Sequence, residues 1–339
     1  MDWSQKKILV TGGASFISSH LIDLLVEKGA RDVRVVDDLS SGKLANIQGH
    51  IDSGVVEFRQ EDLLHPGVAQ RAVESVHVVF HLAAIHGGRG YVDLHQAACA
   101  QNLAMDGMLV KAAHEAGVEK FVFASSGCVY PNFLQTDPTK ELYLTEEMVG
   151  PPYDADNMYG WAKLMTEMTL RAYARDFGLK SASCRFFTVY GERGVENHAV
   201  IAMIARAFVR QNPFEVWGDG TQIRNWTYVG DIVTGMALAA ERIDDGTAVN
   251  LGTEERTRVI DAVHEVLRYT GQEAEIKLLP HMPTGPLNRV ASNRLAKDLL
   301  GWEPRMKFMD GLHRTIDWYF STRQRESVSG YLQEMLTER

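Results

Sequence analysis

Tyr159 and Lys163 stand four residues apart in the run Tyr159-Gly160-Trp161-Ala162-Lys163. On a helix, positions i and i+4 share a face, so the phenol and the ammonium can point into one site. A tyrosine ordinarily ionises near pH ~10. A cation beside it favours the phenolate and draws that value toward neutrality. The product is a general base that takes the proton of an alcohol while a hydride leaves the same carbon. The spacing alone is commonplace. It gains weight from a strand-like run that ends at Ser125-Ser126 and from the glycine turn Gly12-Gly13.

That turn opens the run Gly12-Gly13-Ala14-Ser15-Phe16-Ile17-Ser18, where a strand passes into a helix. Such a turn brings a pyrophosphate against the free amides of the helix N-terminus. Gly12 permits the tight bend; Ser15 and Ser18, both small, stand where further glycines are usual. Asp37 comes 25 positions after Gly12, at the end of the next strand. A carboxylate there accepts both ribose hydroxyls of NAD and repels the extra phosphate of NADP. Asp62 and Leu63 follow the third strand, where an adenine would lie. NAD is therefore the expected cofactor, and no metal-ligand spacing is present.

The elements that must position these residues alternate. Strands are expected at 7–10, 32–36, 55–60, 76–82, 120–125 and 181–187, with helices over 16–28, 93–116 and 158–177. Alternating strands and helices give an α/β fold with a doubly wound parallel Rossmann sheet. Its crossovers are right-handed and its ligands bind at the carboxyl ends of the strands. After about residue 190 the rhythm changes. Short strands at 215–217, 226–229, 248–251 and 276–279 and helices at 259–270 and 291–300 suggest a smaller C-terminal α/β substrate lobe. The expected division is a dinucleotide domain over 1–190, with segments near 226–252 returning to it, a substrate lobe over 191–325, and a peripheral helical tail over 326–339.

Composition sets outer bounds. A chain of 339 residues, 45% hydrophobic and 23% charged, is an ordinary globular protein. A net charge of −9 argues against a general nucleic-acid binder and requires local positive charge wherever an anionic ligand is held. No apolar run reaches ~18 residues, so no membrane span is expected. The first residues lead straight into a strand and do not read as a signal peptide. Three cysteines, Cys99, Cys128 and Cys184, fit a reducing cytoplasm without a disulfide framework.

Several runs together carry a family resemblance: Thr11-Gly12-Gly13, Asp37, Asp62-Leu63, His81-Leu82-Ala83-Ala84, Asn102, Ser125-Ser126, Tyr159-x-x-x-Lys163, Arg185-Phe186-Phe187-x-x-Tyr190-Gly191 and Trp217-Gly218-Asp219-Gly220-Thr221-Gln222-x-Arg224. Over about residues 7–320 the chain resembles the extended short-chain dehydrogenase/reductases, the NAD-dependent epimerases and dehydratases that act on nucleotide sugars. The resemblance implies that Ser126 hydrogen-bonds the sugar hydroxyl, Tyr159 is the base and Lys163 holds the nicotinamide ribose. It implies a resident, recycled NAD lined by Gly12, Ser15, Phe16, Ile17, Asp37, Asp62, Leu63, Leu82, Ala83, Ala84 and Asn102. It also implies a homodimer built on the helices near 93–116 and 157–177.

Three segments, Gly87-Gly88-Arg89-Gly90-Tyr91, Ser125-Ser126-Gly127-Cys128-Val129-Tyr130-Pro131 and the run from Trp217 to Arg224, are most similar to the GDP-mannose 3,5-epimerase branch. In that branch a cysteine at the position of Cys128 takes protons from the sugar ring, and a lysine serves the opposite face. His198, with Asn197 beside it, stands in the place of that lysine. Dehydratases of the family carry an acidic pair where this chain has Gly127-Cys128. Gly88, Arg89, Ser126, Thr188, Trp217, Arg224 and Arg289 fall at substrate positions. Arg224 and Arg289 are expected to clamp a nucleoside diphosphate, for which the planar guanidinium is suited. Thr188 and Ser292 depart from the family pattern, which usually has Asn and an acidic residue there.

The chemistry this implies is consistent. A ketone at carbon 4 acidifies the hydrogens on carbons 3 and 5. A thiol that ordinarily ionises near ~8.5 is a competent base once modestly depressed, and a histidine delivers a proton near neutrality. The leading expectation is an epimerase working through a 4-keto sugar with proton exchange at carbon 5 or 3. Simple 4-epimerisation, decarboxylation of a nucleotide-linked uronic acid with Arg89 on the carboxylate, and a non-catalytic nucleotide-binding relative are the alternatives. The intact Ser126, Tyr159 and Lys163 speak against the last.

Overall fold

A computed structural model of the protein describes residues 1–337. Six strands, β1 (Lys7–Thr11), β2 (Asp32–Asp37), β3 (Val56–Gln60), β4 (Val78–His81), β5 (Lys120–Ser126) and β6 (Ser181–Phe186), alternate with helices, and a seventh, Asp245–Leu251, returns from later in the chain. They form one sheet in the order Asp245–Leu251, β6, β5, β4, β1, β2, β3, with every neighbouring pair parallel. The central strands β1, β4 and β5 are nearly continuous apolar runs because helices cover both faces of the sheet. Ile8 and Val10 pack into one core, and Leu9 between them packs into the other. The strand order reverses between β1 and β4, which opens a crevice at their carboxyl ends.

Outside this sheet, the later half of the chain forms a parallel pair, Phe214–Trp217 with Ile276–Leu279, and a short sheet of Thr257–Arg258, Ile223–Arg224 and Asn288–Arg289. Helices Ala199–Phe208, Val229–Arg242 and Phe308–Thr322 were not expected from the sequence. Every residue from Val200 to Phe208 is buried, so the first of these has no polar face to give a helical period. Val229–Arg242 packs on Phe16–Glu27 and is likewise largely buried.

Two expectations are corrected. The region 93–116 is not one helix but three, Arg89–Leu94, Gln96–Ala100 and Asn102–Glu115, with breaks at His95 and Gln101. The break brings Asn102 against the loop after β4. Its carboxamide accepts from the Ile85 amide at 2.8 Å and donates to the Ile85 and Cys99 carbonyls at 2.9 and 3.0 Å. The tail is docked rather than peripheral. It forms the helix Arg325–Thr337, with Val328 and Leu332 buried. Tyr331 donates to Glu196 at 3.0 Å, beside Tyr319 at 2.8 Å on the same oxygen. The last two residues of the expected tail helix lie outside the described residues. Among the described residues, no helix is long and apolar enough to cross a membrane.

Candidate active site

A cavity of about 740 Å³ follows the carboxyl ends of the strands from the β1 turn to the second lobe. Every residue expected at the cofactor and substrate sites lines it except Asn102, which is fully buried in the clamp just described.

At one end the backbone shapes the cavity. Gly12 has φ +64°, and a Cβ there would lie 3.0 Å from the Ala83 backbone. Helix Phe16–Glu27 begins with Ser15 as an N-cap whose side chain does not cap the helix, leaving first-turn amides available to an anion. Asp37 is buried at the end of β2 and accepts from the Ala14 and Leu39 amides at 2.9 and 2.8 Å. Burial pushes its carboxyl up. A Cβ at Gly42 would come within 2.7 Å of the Asp37 carboxylate. A phosphate cradle, a buried acceptor for a diol and a buried lysine further along fit a dinucleotide.

In the centre, β5 ends at Ser126, whose hydroxyl accepts from the Cys128 amide at 3.1 Å. Helix Asn157–Phe177 reaches this turn through Gly160, where a Cβ would collide with the Cys128 carbonyl oxygen. The Asp156 amide donates to that same carbonyl at 2.8 Å. Gly160 thus does more than separate Tyr159 from the rest of its motif: it lets the tyrosine's helix lie against the cysteine's turn. The start of the helix is held by Asn157, at φ +61°, whose carboxamide donates to Asp93.

The electrostatics correct one expectation. Lys163 Nζ lies 4.5 Å from the centroid of the Phe123 ring and 5.7 Å from that of Tyr159. Burial pushes the Tyr159 phenol up, and Cys128, Asp106 and Cys99 add to the rise; only its hydrogen bond with Ser126 opposes. Burial also pulls Lys163 down against Asp106 and Cys128. For Tyr159 the direction is opposite to the expected fall toward neutrality, and burial is its largest cause.

The two arginines expected as a matched clamp have different surroundings. Arg289 uses its whole fork within the chain: Nε donates to Gln135 at 2.7 Å, Nη1 to Cys128 Sγ at 3.3 Å and Nη2 to Asp156 at 3.0 Å. Arg89 donates to the same Asp156 oxygen at 2.8 Å. Burial opposes it, but Arg289 and then Arg89 hold the Asp156 carboxyl below its usual range. Arg224 donates only to the carbonyls of Ile223 and Thr284, at 2.8 and 2.7 Å. Burial, with Arg289 and Arg89 as like charges, pulls it down to about 9. It is a cation in search of an anion.

Two cavity residues were missed from sequence. Arg206, in the last turn of Ala199–Phe208, is 5% exposed, and its Nε has no hydrogen-bond partner. Gln222, another residue lining the cavity, has an unpartnered Oε1. Burial lowers Arg206 to about 10 against the pull of Glu215. The available signal was a lone arginine in an otherwise apolar helix. The other is His86, in the glycine-rich loop after β4; its ring is 5.9 Å from that of His198. His198 itself N-caps Ala199–Phe208 and lines the cavity, and burial pushes it down to about 4. Thr188, Trp217 and Gly88 line the same space.

A parallel sheet with a phosphate turn, an acid after β2 and a Ser–Tyr–Lys centre defines a dinucleotide-dependent enzyme. Residues 8–252 match the NAD dependent epimerase/dehydratase family, and the chain belongs to that family, with NAD as its cofactor. It is 31% identical to GDP-mannose 3,5-epimerase 1 of Oryza sativa subsp. indica, over 97% of this chain and 86% of that protein. It superposes with a TM-score of 0.82 on UDP-glucose 4-epimerase of Thermotoga maritima with UDP-glucose, at 30% identity, covering 93% of this chain and 99% of that one. UDP-glucuronic acid 4-epimerase of Bacillus cereus, in complex with UDP-glucuronic acid and NAD, gives a TM-score of 0.82 at 28% identity over 92% and 98% of the two chains.

Proposed function

We propose that the protein inverts a nucleoside-diphosphate sugar through a transient 4-keto sugar, with Cys128 exchanging a ring proton at carbon 5 or 3. The observation that carries this reading is the sulfur of Cys128, next to Ser126 and Tyr159 in one cavity and facing the guanidinium of Arg289 at 3.3 Å. Ser126 aligns the carbon 4 hydroxyl and Tyr159 takes its proton. When bound, NAD would supply the hydride acceptor for carbon 4. Gly12, Ser15 and Asp37 would hold it at one end and Lys163 at the other. With a ketone at carbon 4, the neighbouring hydrogens become acidic and Cys128 removes one. Arg289 faces the charge on the sulfur. His198, from the second lobe, gives a proton to the opposite ring face. Tyr159 then returns its proton as carbon 4 becomes an alcohol again, so the net reaction is an isomerisation.

Arg224, which donates only to backbone carbonyls, is assigned the diphosphate. Arg206, the other cavity arginine without an ion pair among the described residues, is assigned the nucleoside end. The three cysteines are unpaired, in keeping with a reducing cytoplasm. Leu103 and Met165, exposed on Asn102–Glu115 and Asn157–Phe177, are assigned to a homodimer face.

The test is incubation of the NAD-loaded protein with GDP-mannose, UDP-glucose and dTDP-glucose in heavy water, followed by NMR. Deuterium at carbon 5 or 3, lost in Cys128→Ala, is the expected result. Inversion at carbon 4 without ring label would replace this reading with simple 4-epimerisation, which the likeness to two 4-epimerases supports.

A further inference from the structure

His86 has no part in those proton transfers, yet it stands between two residues that do. Its ring centroid is 6.5 Å from that of Tyr159 and 5.9 Å from that of His198, with the two imidazoles inclined by only 31°. All three rings line the same cavity. Among the described residues, neither imidazole makes a hydrogen bond to the chain. Their ring nitrogens are therefore free to meet water or a ligand in the cavity. His86 is open to the cavity.

The facing arrangement is built by the backbone. A Cβ at Gly88 would collide with the carbonyl oxygen of Asn197. Glycine thus lets the loop after β4 lie directly against the loop that carries Asn197 and His198. One histidine comes from each lobe, and the contact between their loops sets their separation.

We propose that His86 and His198 work as a pair that exchanges one proton, with His86 as a further acid–base residue that reprotonates His198 after each ring transfer. The proposal rests on the ring-epimerase reading above. In a reaction that takes a proton on one face and gives one on the other, the donor must be refilled before the next turnover. His198, protonated as the imidazolium, gives its proton to the ring carbon and becomes neutral. His86, protonated in turn, passes a proton to His198 through a bridging water and is refilled from cavity water, which takes up the proton that the Cys128 thiol releases before the next turnover. Each N–H bond broken is replaced, and no electrons are transferred. Burial pulls His86 down to about 3, with His198 and Lys163 adding to the effect as positive neighbours. Tyr159 is the other titratable ring facing it. Two positive imidazoles side by side are therefore disfavoured, which suits a pair that carries a single mobile proton.

The experiment uses the NAD-loaded wild type, His86→Gln and His198→Gln, each labelled with nitrogen-15 at histidine. With GDP-mannose in heavy water, His86→Gln is expected to retain formation of reduced nicotinamide while ring labelling slows about a hundredfold, and added imidazole restores it. Ring labelling at the wild-type rate in His86→Gln would overturn the proposal. The NMR titration needs no turnover: in a coupled pair, removing either histidine moves the titration of the other. Independent titrations would overturn the pairing. Coupled titration in a wild type that places no deuterium on the ring would instead remove the ring-epimerase reading and leave the pair standing.

Discussion

Burial raises the Tyr159 phenol, and Cys128, Asp106 and Cys99 add to the rise against the hydrogen bond with Ser126. Its role as a base is therefore tied to the loaded site, not to Lys163 alone. Tyr159→Phe should keep NAD bound and lower turnover by about 10²- to 10⁴-fold, the usual weight of a general base; a steady-state assay with GDP-mannose checks this. His198 gives a pH signature. Burial moves its imidazole from the ordinary 6.5 to about 4. Below pH 6.5 the unfolded chain binds a proton that the folded chain refuses, so the unfolded state holds more protons. Stability is then complete above pH 6.5 and declines as pH falls toward about 4. The Tm of the wild type should fall more steeply over that window than the Tm of His198→Gln; parallel curves would contradict the shift. Ser126, Tyr159, Lys163 and Asp37 were legible because their chemistry needs those residue types at local spacings. Arg206 was not, since an arginine is unpaired only once the fold has withheld every carboxylate from it.

The strand–turn–helix at Gly12 can be tested as a unit. Gly12→Ala places a side chain on a left-handed backbone and 3.0 Å from Ala83. The expected result is loss of NAD affinity by at least about tenfold, measured by calorimetry on stripped protein, with a lowered Tm. The C-terminal helix offers a second test. Glu196 accepts two phenols and sits two residues before His198. Tyr331→Phe removes one of these bonds at a cost of about 1 kcal/mol. It should lower kcat while leaving NAD binding intact; unchanged Tm and kcat would show that the tail does not steady the His198 loop. Strand and helix periodicity located the first sheet well, because local patterning and burial agree there. It failed on Ala199–Phe208, where every side is buried, and across 93–116, where the tie between Asn102 and Ile85 breaks an otherwise helical pattern. Neither feature has a local signal.

Across the whole molecule, the charge distribution explains how a chain of net charge −9 can hold a diphosphate. Arg89, Arg206, Arg224 and Arg289 all line one cavity, and Arg206 and Arg224 make no ion pair among the described residues. The enclosed setting strengthens their field. The proposed NAD site lies where the strand order reverses, and Asp245–Leu251 returns to the sheet from the later half of the chain. The proposed dimer face belongs to this scale. Leu103→Glu combined with Met165→Glu should convert a dimer to a monomer by light scattering, with the far-UV spectrum unchanged. The most direct test of transient oxidation at carbon 4 is rapid mixing of the NAD-loaded protein with GDP-mannose while the absorbance of reduced nicotinamide is followed. Wild type and Cys128→Ala should both show it form, and Tyr159→Phe should show none. Full turnover by Tyr159→Phe, or an isomerising wild type in which oxidised NAD can be removed without loss of rate, would contradict the account.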